Sequence, residues 1–440
     1  MQEFVNLNNL RSFLFGSETK KRLFENFLSL SVLQGLNYIL PLITLPYLVR
    51  VLGPEKYGLI AFAQAFIGYF MILTDYGFNL SATREISINR EDKQKVSEIF
   101  SSVLTIKFFL CILSFLILVS LLFIPKFKKD WLVYIFTFGM VLGNVLFPVW
   151  FFQGMEKMRY ITILNIVAKS IFTVCIFIFI KKMSDFLYVP LINSLGYLVA
   201  GVLSLKIVFK NFAVKFVIPS FEDIKHQLKE GWHIFISQIN ISFFNNTNAV
   251  ILGIFTNNTI VGYYSAAEKL IRVVMSLQIP MLNSIYPTMS RLINEDIKKS
   301  INFARKILIY GSCGYLILLI SLLIFSHKII LMVLGNNFEN SEIIFKVLLI
   351  IPLTVFINNI YGTQFLLNIG HSDEFSRVII FSGLTNLILC PILTYFYNYI
   401  GTALSWVIVE IFVLYGMYHF TTKYIEELKL KHIFGFVMTK

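Results

Sequence analysis

The sequence contains few charged residues for its length. Asp, Glu, Lys and Arg make up 14% of its 440 residues, whereas apolar residues make up 57% and the mean hydropathy is +0.73. Soluble globular domains have about 25% charged residues. The composition therefore excludes an ordinary soluble protein and indicates a chain that crosses a membrane several times.

Cysteine and histidine are also scarce, and the short motifs of common enzymes are missing. The four cysteines lie in apolar runs without a C-x-x-C pair, and the six histidines are dispersed, which indicates neither a disulfide framework nor a metal site. The sequence has no G-x-x-x-x-G-K-[ST], H-E-x-x-H or G-x-S-x-G motif, so ATP hydrolysis, zinc chemistry and a serine nucleophile lack support. We expect neither an enzyme nor a cofactor.

Long apolar runs occupy most of the chain. A helix needs about 20 residues to cross about 30 Å of hydrocarbon, and twelve runs satisfy this length. The sequence therefore predicts an all-α integral membrane protein with twelve transmembrane helices. The predicted spans are residues 23–49, 57–83, 97–124, 131–152, 160–180, 186–205, 231–255, 261–290, 307–326, 342–367, 378–397 and 401–420.

The basic residues are distributed unequally between the two sets of loops. Loops on the side of both termini contain 25 Lys and Arg, and the opposite loops contain 8. By the positive-inside rule both termini are expected in the cytoplasm, and "GPEK" at residues 53–56 is an external turn that ends one helix and begins the next. The net charge of +13 is spread over short loops, so we expect no nucleic-acid partner.

The longest loop between spans divides the chain into two groups of six spans. A shift of 204 positions aligns "GLIAFAQ" at residues 58–64 with "GYYSAAE" at residues 262–268, and Asn79 with Asn283. Six spans per half give both halves the same orientation, so we expect two six-helix lobes around a central cavity. The predicted segments are a cytoplasmic segment at 1–22, lobes at 23–205 and 231–420, a cytoplasmic linker at 206–230 and a cytoplasmic tail at 421–440.

Charged residues inside the apolar spans are candidates for the lining of such a cavity, because they are costly in lipid. Five are basic and three are acidic, which leaves an excess of two positive charges. They are Lys107, Lys169, Lys269, Arg272 and Lys346, with Asp75, Glu268 and Glu410. Lys107, Lys169, Lys346 and Glu410 have no partner that the sequence reveals, so each is a weak candidate that is equally compatible with a structural role.

The eighth predicted span contains a polar stripe at helical spacing. Its members recur every three, four or seven residues, which places them on one helical face. They are Ser265, Glu268, Lys269, Arg272, Ser276 and Asn283. Glu268 and Arg272 also have the spacing of an internal ion pair that would only ease insertion. Because Lys269 has no comparable neighbour, we favour a binding role for Lys269 and Arg272.

The first two spans contain similar stripes. The second includes Gln64, Gly68, Asp75 and Asn79, and Asp75 is equally compatible with a proton or cation relay, a gate partner, or pairing with Arg84 or a nearby lysine. The first-span stripe consists of Gln34, Asn37, Pro41 and Thr44. Arg50 precedes the external turn, where it would either close a gate or extend to lipid headgroups; we favour the headgroups.

A block of roughly 65 residues in this region resembles a known family. The segments are "LPYLVRVLGPEKYGLIAFAQAFIGYFMILTDYGFNLSATREIS" and "KVSEIFSSVLTIK". They are similar to O-antigen and polysaccharide flippases of the Wzx type, in the superfamily that includes multidrug exporters and the lipid II flippase. "NNTNAVILG" and "NIGHSDEF" resemble the same family more loosely. Many relatives have Asp where this chain has Asn248.

The resemblance implies that the chain moves undecaprenyl-diphosphate-linked oligosaccharide units across the bacterial inner membrane. Implied partners are the lipid-linked substrate, membrane lipids, H+ or Na+ as coupling ion, and other polysaccharide-assembly proteins. One alternative is a multidrug antiporter of the same fold, although such a protein would be expected to have an acidic lumen. The other is a polymerase or ligase, but the longest external loop, at 327–341, is too short for an active site.

Overall fold

The computed structural model describes residues 18–429, with all side chains except those of residues 18–34, 36–39, 41, 241 and 243–246. Three members of the predicted first-span stripe, Gln34, Asn37 and Pro41, therefore lie outside the described side chains. The prediction of an all-helical chain is confirmed, since residues 18–429 contain helices and no strands.

Sixteen α-helices are present in the described range, joined by short turns. They are α1 Glu18–Asp75, α2 Phe78–Asn89, α3 Lys93–Leu121, α4 Pro125–Lys128, α5 Trp131–Leu146, α6 Val149–Gly154, α7 Met158–Phe179, α8 Tyr188–Asn211, α9 Phe221–Phe255, α10 Asn258–Ser276, α11 Ile279–Glu295, α12 Ile297–Ile324, α13 Ser326–Val333, α14 Ser341–Leu348, α15 Ile351–Asn359 and α16 Ser372–Tyr424. Three 3₁₀ turns, Met183–Leu187, Asn336–Phe338 and Glu426–Leu428, and a π-helix, Ile360–Leu366, complete the set.

Eight stretches between residues 18 and 429 are long and apolar enough to cross a membrane. Two of them, Leu42–Asn89 and Ser372–Tyr424, extend over more than one predicted span. The predicted seventh and eighth spans are not among these eight, although the chain is helical there in α9, α10 and α11. The number of twelve therefore stays a prediction.

The predicted external turn coincides with a break in α1. Gly53 has φ 67° and ψ 173°, outside the helical region, and Pro54 follows it. A positive φ is accessible to glycine at little steric cost, and proline suits the first turn of a helix because it needs no amide hydrogen there. The helix ends and restarts where the sequence predicted it.

Four predicted spans are interrupted. The span at 131–152 has a break between Leu146 and Val149, and the span at 342–367 has one between Leu348 and Ile351. The second ends at Asp75 and resumes at Phe78, and the eighth ends at Ser276 and resumes at Ile279. Pro280 lies in the first turn of α11, where its missing amide hydrogen costs nothing. A proline inside an apolar run is itself a local signal of such a break.

The chain forms two compact units. Among the described residues, the first contains 18–44 and 66–238, and its core is rich in aromatic side chains, with Phe100, Trp150 and Phe151 fully buried. The second contains 45–65 and 239–429, and its core includes Phe356, Phe365 and other apolar residues of α11 to α16. The predicted lobe boundary at residues 206–230 stays a prediction.

Within the second unit, two glycines allow α1 and α10 to cross at backbone contact. A Cβ on Gly58 would lie 1.8 Å from the carbonyl oxygen of Asn258, and a Cβ on Gly262 would lie 2.0 Å from that of Pro54. The shift of 204 positions that aligns Gly58 with Gly262 also aligns Pro54 with Asn258. The contact is therefore reciprocal, as expected for two copies of one motif related by a local two-fold axis.

Substituting Gly58 by alanine is expected to destabilise the protein by about 3 kcal/mol, because the backbone of α10 must move to admit the methyl group. Gly68 on the same helix is a matched control, since its Cβ would meet nothing within 4 Å, and Gly68→Ala should be neutral or slightly stabilising. Thermal unfolding in detergent measures both variants. Equal melting temperatures would contradict the close crossing.

Candidate functional site

The second unit contains a cavity of about 370 Å³. Both stretches of sequence that form this unit contribute to its wall. The lining residues are Tyr57, Ala61, Gln64, Ala65, Ala249, Ser265, Glu268, Lys269 and Arg272. The cavity therefore collects the charged part of the stripe predicted in the eighth span and one member of the stripe predicted in the second.

Three charged side chains of α10 line this cavity. Arg272 donates from Nε and Nη2 to Oε1 of Glu268, at 2.8 and 2.7 Å, so the ion pair that the spacing allowed is present. Lys269 makes no hydrogen bond or ion pair with any described residue, and the buried hydroxyl of Ser265 likewise has no partner among them. The wall thus carries one net positive charge and polar atoms able to bind an anion.

Arg272 also contacts an aromatic ring. Its guanidinium carbon lies 5.2 Å from the ring centroid of Trp406 on α16, within the range of a cation–π interaction. Glu410 lies one turn further along α16, is only 4% exposed, and accepts a hydrogen bond of 2.8 Å from Nδ2 of Asn358. The weak candidate Glu410 therefore has a defined partner and lies outside the set of lining residues.

The lining contains three pairs of positions related by the shift of 204. They are Ala61 with Ser265, Gln64 with Glu268, and Ala65 with Lys269. The two helices that cross at Gly58 and Gly262 thus present equivalent positions to one cavity. The first copy contributes neutral side chains there, and the second copy contributes the hydroxyl and the charges.

Four of the main predicted site residues, Asp75 among them, are not lining residues. Ser276 is buried, and its hydroxyl donates to the carbonyl oxygen of Val273 at 2.6 Å. Asn283 lies beyond the break, on α11, and is exposed, whereas Asn79 is half-buried on α2. Ser276 is the last residue of α10, whereas Asn283 and Asn79 are separated from the helices that line the cavity by the breaks after Ser276 and Asp75.

Asp75 belongs to the first unit and has two partners there. Its Oδ1 accepts from Nζ of Lys107 at 2.8 Å and from Nδ2 of Asn144 at 2.9 Å. Lys107 is 1% exposed and the side chain of Asp75 is 22% exposed. The pairing of Asp75 with a lysine, one of the interpretations that we considered, is therefore present. The sequence revealed no partner for Lys107, because its carboxylate lies 32 residues away in the sequence; the structural role that we considered for it is present.

The other weak candidates lie away from the cavity lining. Arg50 donates from Nη2 to the carbonyl oxygen of Met332, at the end of α13, so it stabilises a helix end of the second unit. Lys346 pairs with Glu342 one turn before it, at 2.6 Å, in agreement with the structural role that we considered equally compatible. Lys169 is half-buried on α7.

Some residues around the charged stripe were missed at the sequence level. Tyr57 lines the cavity and recurs with Ala61, Gln64 and Ala65 at spacings of four, seven and eight residues. That spacing was readable, but only Gln64 is polar enough to attract notice. Trp406 was missed because its proximity to Arg272 depends on how α10 packs on α16, which no spacing within one helix reveals.

Removing either member of the Asp75–Lys107 pair is expected to destabilise the first unit unequally. Asp75→Asn leaves a fully buried ammonium without a counter-ion and should cost about 3–5 kcal/mol. Lys107→Met leaves a partly exposed carboxylate that keeps Asn144, so the loss should be smaller. The double variant should regain much of the stability. Thermal unfolding measures all three; equal losses in the two single variants would contradict this assignment.

Comparison with known proteins places the chain in a family. Residues 23–293 match the family described as "Polysaccharide biosynthesis protein". A "Putative O-antigen transporter" of Escherichia coli (strain K12) is 33% identical over 399 residues, covering 90% of this chain and 95% of that protein. A protein of the same name from Shigella dysenteriae is 26% identical over 397 residues, covering 89% of this chain and 98% of its own length.

Two solved structures show the same fold. One is an inward-facing multidrug resistance MATE family transporter of the MOP superfamily, with a TM-score of 0.71 and 13% identity, covering 89% of this chain and 95% of that one. The other is the lipid II flippase MurJ in an inward closed conformation, with a TM-score of 0.69 and 14% identity, covering 93% and 89%. The resemblance noted in the sequence is confirmed, and the chain belongs to the polysaccharide biosynthesis protein family, with the membrane-transporter fold of MATE and MurJ.

Proposed function

We propose that this protein is a flippase that moves lipid-linked oligosaccharide units across the membrane during polysaccharide biosynthesis. Membership of the family supports this proposal, as do the relatives named as O-antigen transporters. The observation that carries it is Lys269, which lines the cavity and makes no hydrogen bond or ion pair with any described residue. An uncompensated cation at a polar cavity attracts an anionic ligand.

The anion that we assign to the cavity is the diphosphate of a polyprenyl carrier, undecaprenyl diphosphate in bacteria. A volume of about 370 Å³ suits a charged headgroup, whereas an oligosaccharide would need far more space. Lys269 would attract the diphosphate as a point charge, and Arg272 would bind its oxygens with two parallel N–H groups. The glycan and the prenyl chain would remain outside the cavity.

Transport would follow alternating access between the cytoplasmic and the external face of the bacterial inner membrane. The excess of Lys and Arg in one set of loops supports cytoplasmic termini. H+ or Na+ would supply the driving force, and other polysaccharide-assembly proteins would supply and consume the substrate.

With cytoplasmic termini, residue 55 is external. Glu55→Cys, in a variant without the native cysteines, should then react with an impermeant maleimide added to intact cells. If the cysteine is protected from the maleimide, the opposite orientation is correct.

Lys269→Ala is expected to slow transfer of a labelled undecaprenyl-diphosphate oligosaccharide in proteoliposomes by about tenfold or more, the loss of one charge-assisted contact. Arg272→Ala should act in the same direction. Lys346→Ala is the matched control, because this lysine pairs with Glu342 and does not line the cavity. Transfer at the wild-type rate in Lys269→Ala would overturn the assignment.

The same variants distinguish the flippase from a multidrug antiporter, whose fold the chain shares. A flippase requires loss of surface polysaccharide in cells that carry Lys269→Ala, with drug tolerance unchanged. An antiporter would instead keep its surface polysaccharide and change its drug tolerance, because Lys269→Ala removes a positive charge that repels cationic substrates.

A further inference from the structure

The acidic residue in the cavity wall is at odds with a site that binds an anion. Glu268 is 14% exposed at the side chain, lines the cavity beside Lys269, and adds a negative charge where the substrate would place two or more. A like charge in a binding site costs affinity. Glu268 therefore needs an explanation that the anion site alone does not give.

The hydrogen bonds between Arg272 and Glu268 provide an explanation for this carboxylate. Two N–H groups of Arg272, Nε and Nη2, donate to a single oxygen, Oε1, at 2.8 and 2.7 Å. A guanidinium has five N–H donors, and the side chain of Arg272 remains 41% exposed. A phosphate offers more oxygens and more charge than one carboxylate oxygen, so it can compete for the same two donors.

We propose that Glu268 is a displaceable counter-ion, which occupies Arg272 in the empty protein and yields it to the diphosphate when the substrate binds. The proposal rests on the function proposed above. Lys269, which has no partner among the described residues, attracts the anion first. Arg272 then exchanges the carboxylate of Glu268 for a phosphate oxygen.

A transporter that returns to its starting conformation without substrate needs a counter-ion for a charged side chain in its binding site. Arg272 lies in an apolar helical unit, where an uncompensated charge costs several kcal/mol. Glu268 neutralises it from the adjacent turn of the same helix, so no ligand is needed during the return step. Glu268 therefore has two opposite effects on transport: it lowers the affinity for substrate and raises the rate of turnover.

The alternative is that the pair only stabilises α10. Pairs at i and i+4 on an accessible helix face contribute about 0.5 kcal/mol or less, which is a weak reason for a carboxylate in an anion site. The repeat-related position on the opposite wall is Gln64, which also lines the cavity. Glutamine has the shape of glutamate without its charge, so the wall already accommodates an amide at the equivalent place.

The test is the affinity of undecaprenyl diphosphate for the full-length protein in nanodiscs, measured together with the transfer rate in proteoliposomes. Glu268→Gln should bind the lipid about tenfold more tightly, the factor expected when one charge-assisted pair no longer competes, and should transfer it more slowly. Gln64→Glu is the matched control: it adds a carboxylate to the related wall without an arginine one turn on, and should weaken binding.

The outcomes separate the two proposals. If the wild-type protein does not bind undecaprenyl diphosphate, the proposed function fails. If it binds and Glu268→Gln binds equally or more weakly, or transfers faster, Glu268 is not a displaceable counter-ion. Should Glu268→Gln fail to fold, Glu268→Asp keeps the charge but shortens its reach, and must then bind more tightly than wild type for the inference to stand.

Discussion

A charged side chain inside an apolar helical protein must have either a counter-ion or a polar cavity. This protein contains an example of each. In the first unit Lys107 is fully buried and paired with Asp75, which also accepts from Asn144. In the second unit Lys269 faces a cavity and has no partner in residues 18–429 for which side chains are described. Lys107 and Asp75 neutralise each other, whereas the charge of Lys269 is available for the proposed ligand.

The internal repeat accounts for where the open site lies. Gly58 and Gly262 bring two copies of one helix segment to backbone contact, and the side chains that follow each glycine face the same cavity. Equivalent positions have diverged, so that Ala65 in one copy corresponds to Lys269 in the other. The two crossing segments thus differ in charge at matched positions, and under the proposed function this difference would let one anion bind in one orientation.

The sequence alone predicted the features that depend on local composition and spacing. Apolar run length predicted the helices, the Gly-Pro pair predicted the break at residue 53, and the helical period placed Ser265, Glu268, Lys269 and Arg272 on one face. Features that depend on packing between helices were missed. The partner of Asp75 and the ring over Arg272 leave no local pattern, because each contact joins helices that are far apart in the sequence.

The binding of the lipid carrier's diphosphate by Lys269 is tested most directly by a structure of the protein with undecaprenyl diphosphate. We expect a phosphate oxygen within about 3 Å of Nζ of Lys269, with Arg272 turned from Glu268 toward the same diphosphate. A diphosphate bound elsewhere, with Lys269 pointing into the acyl chains, would contradict it.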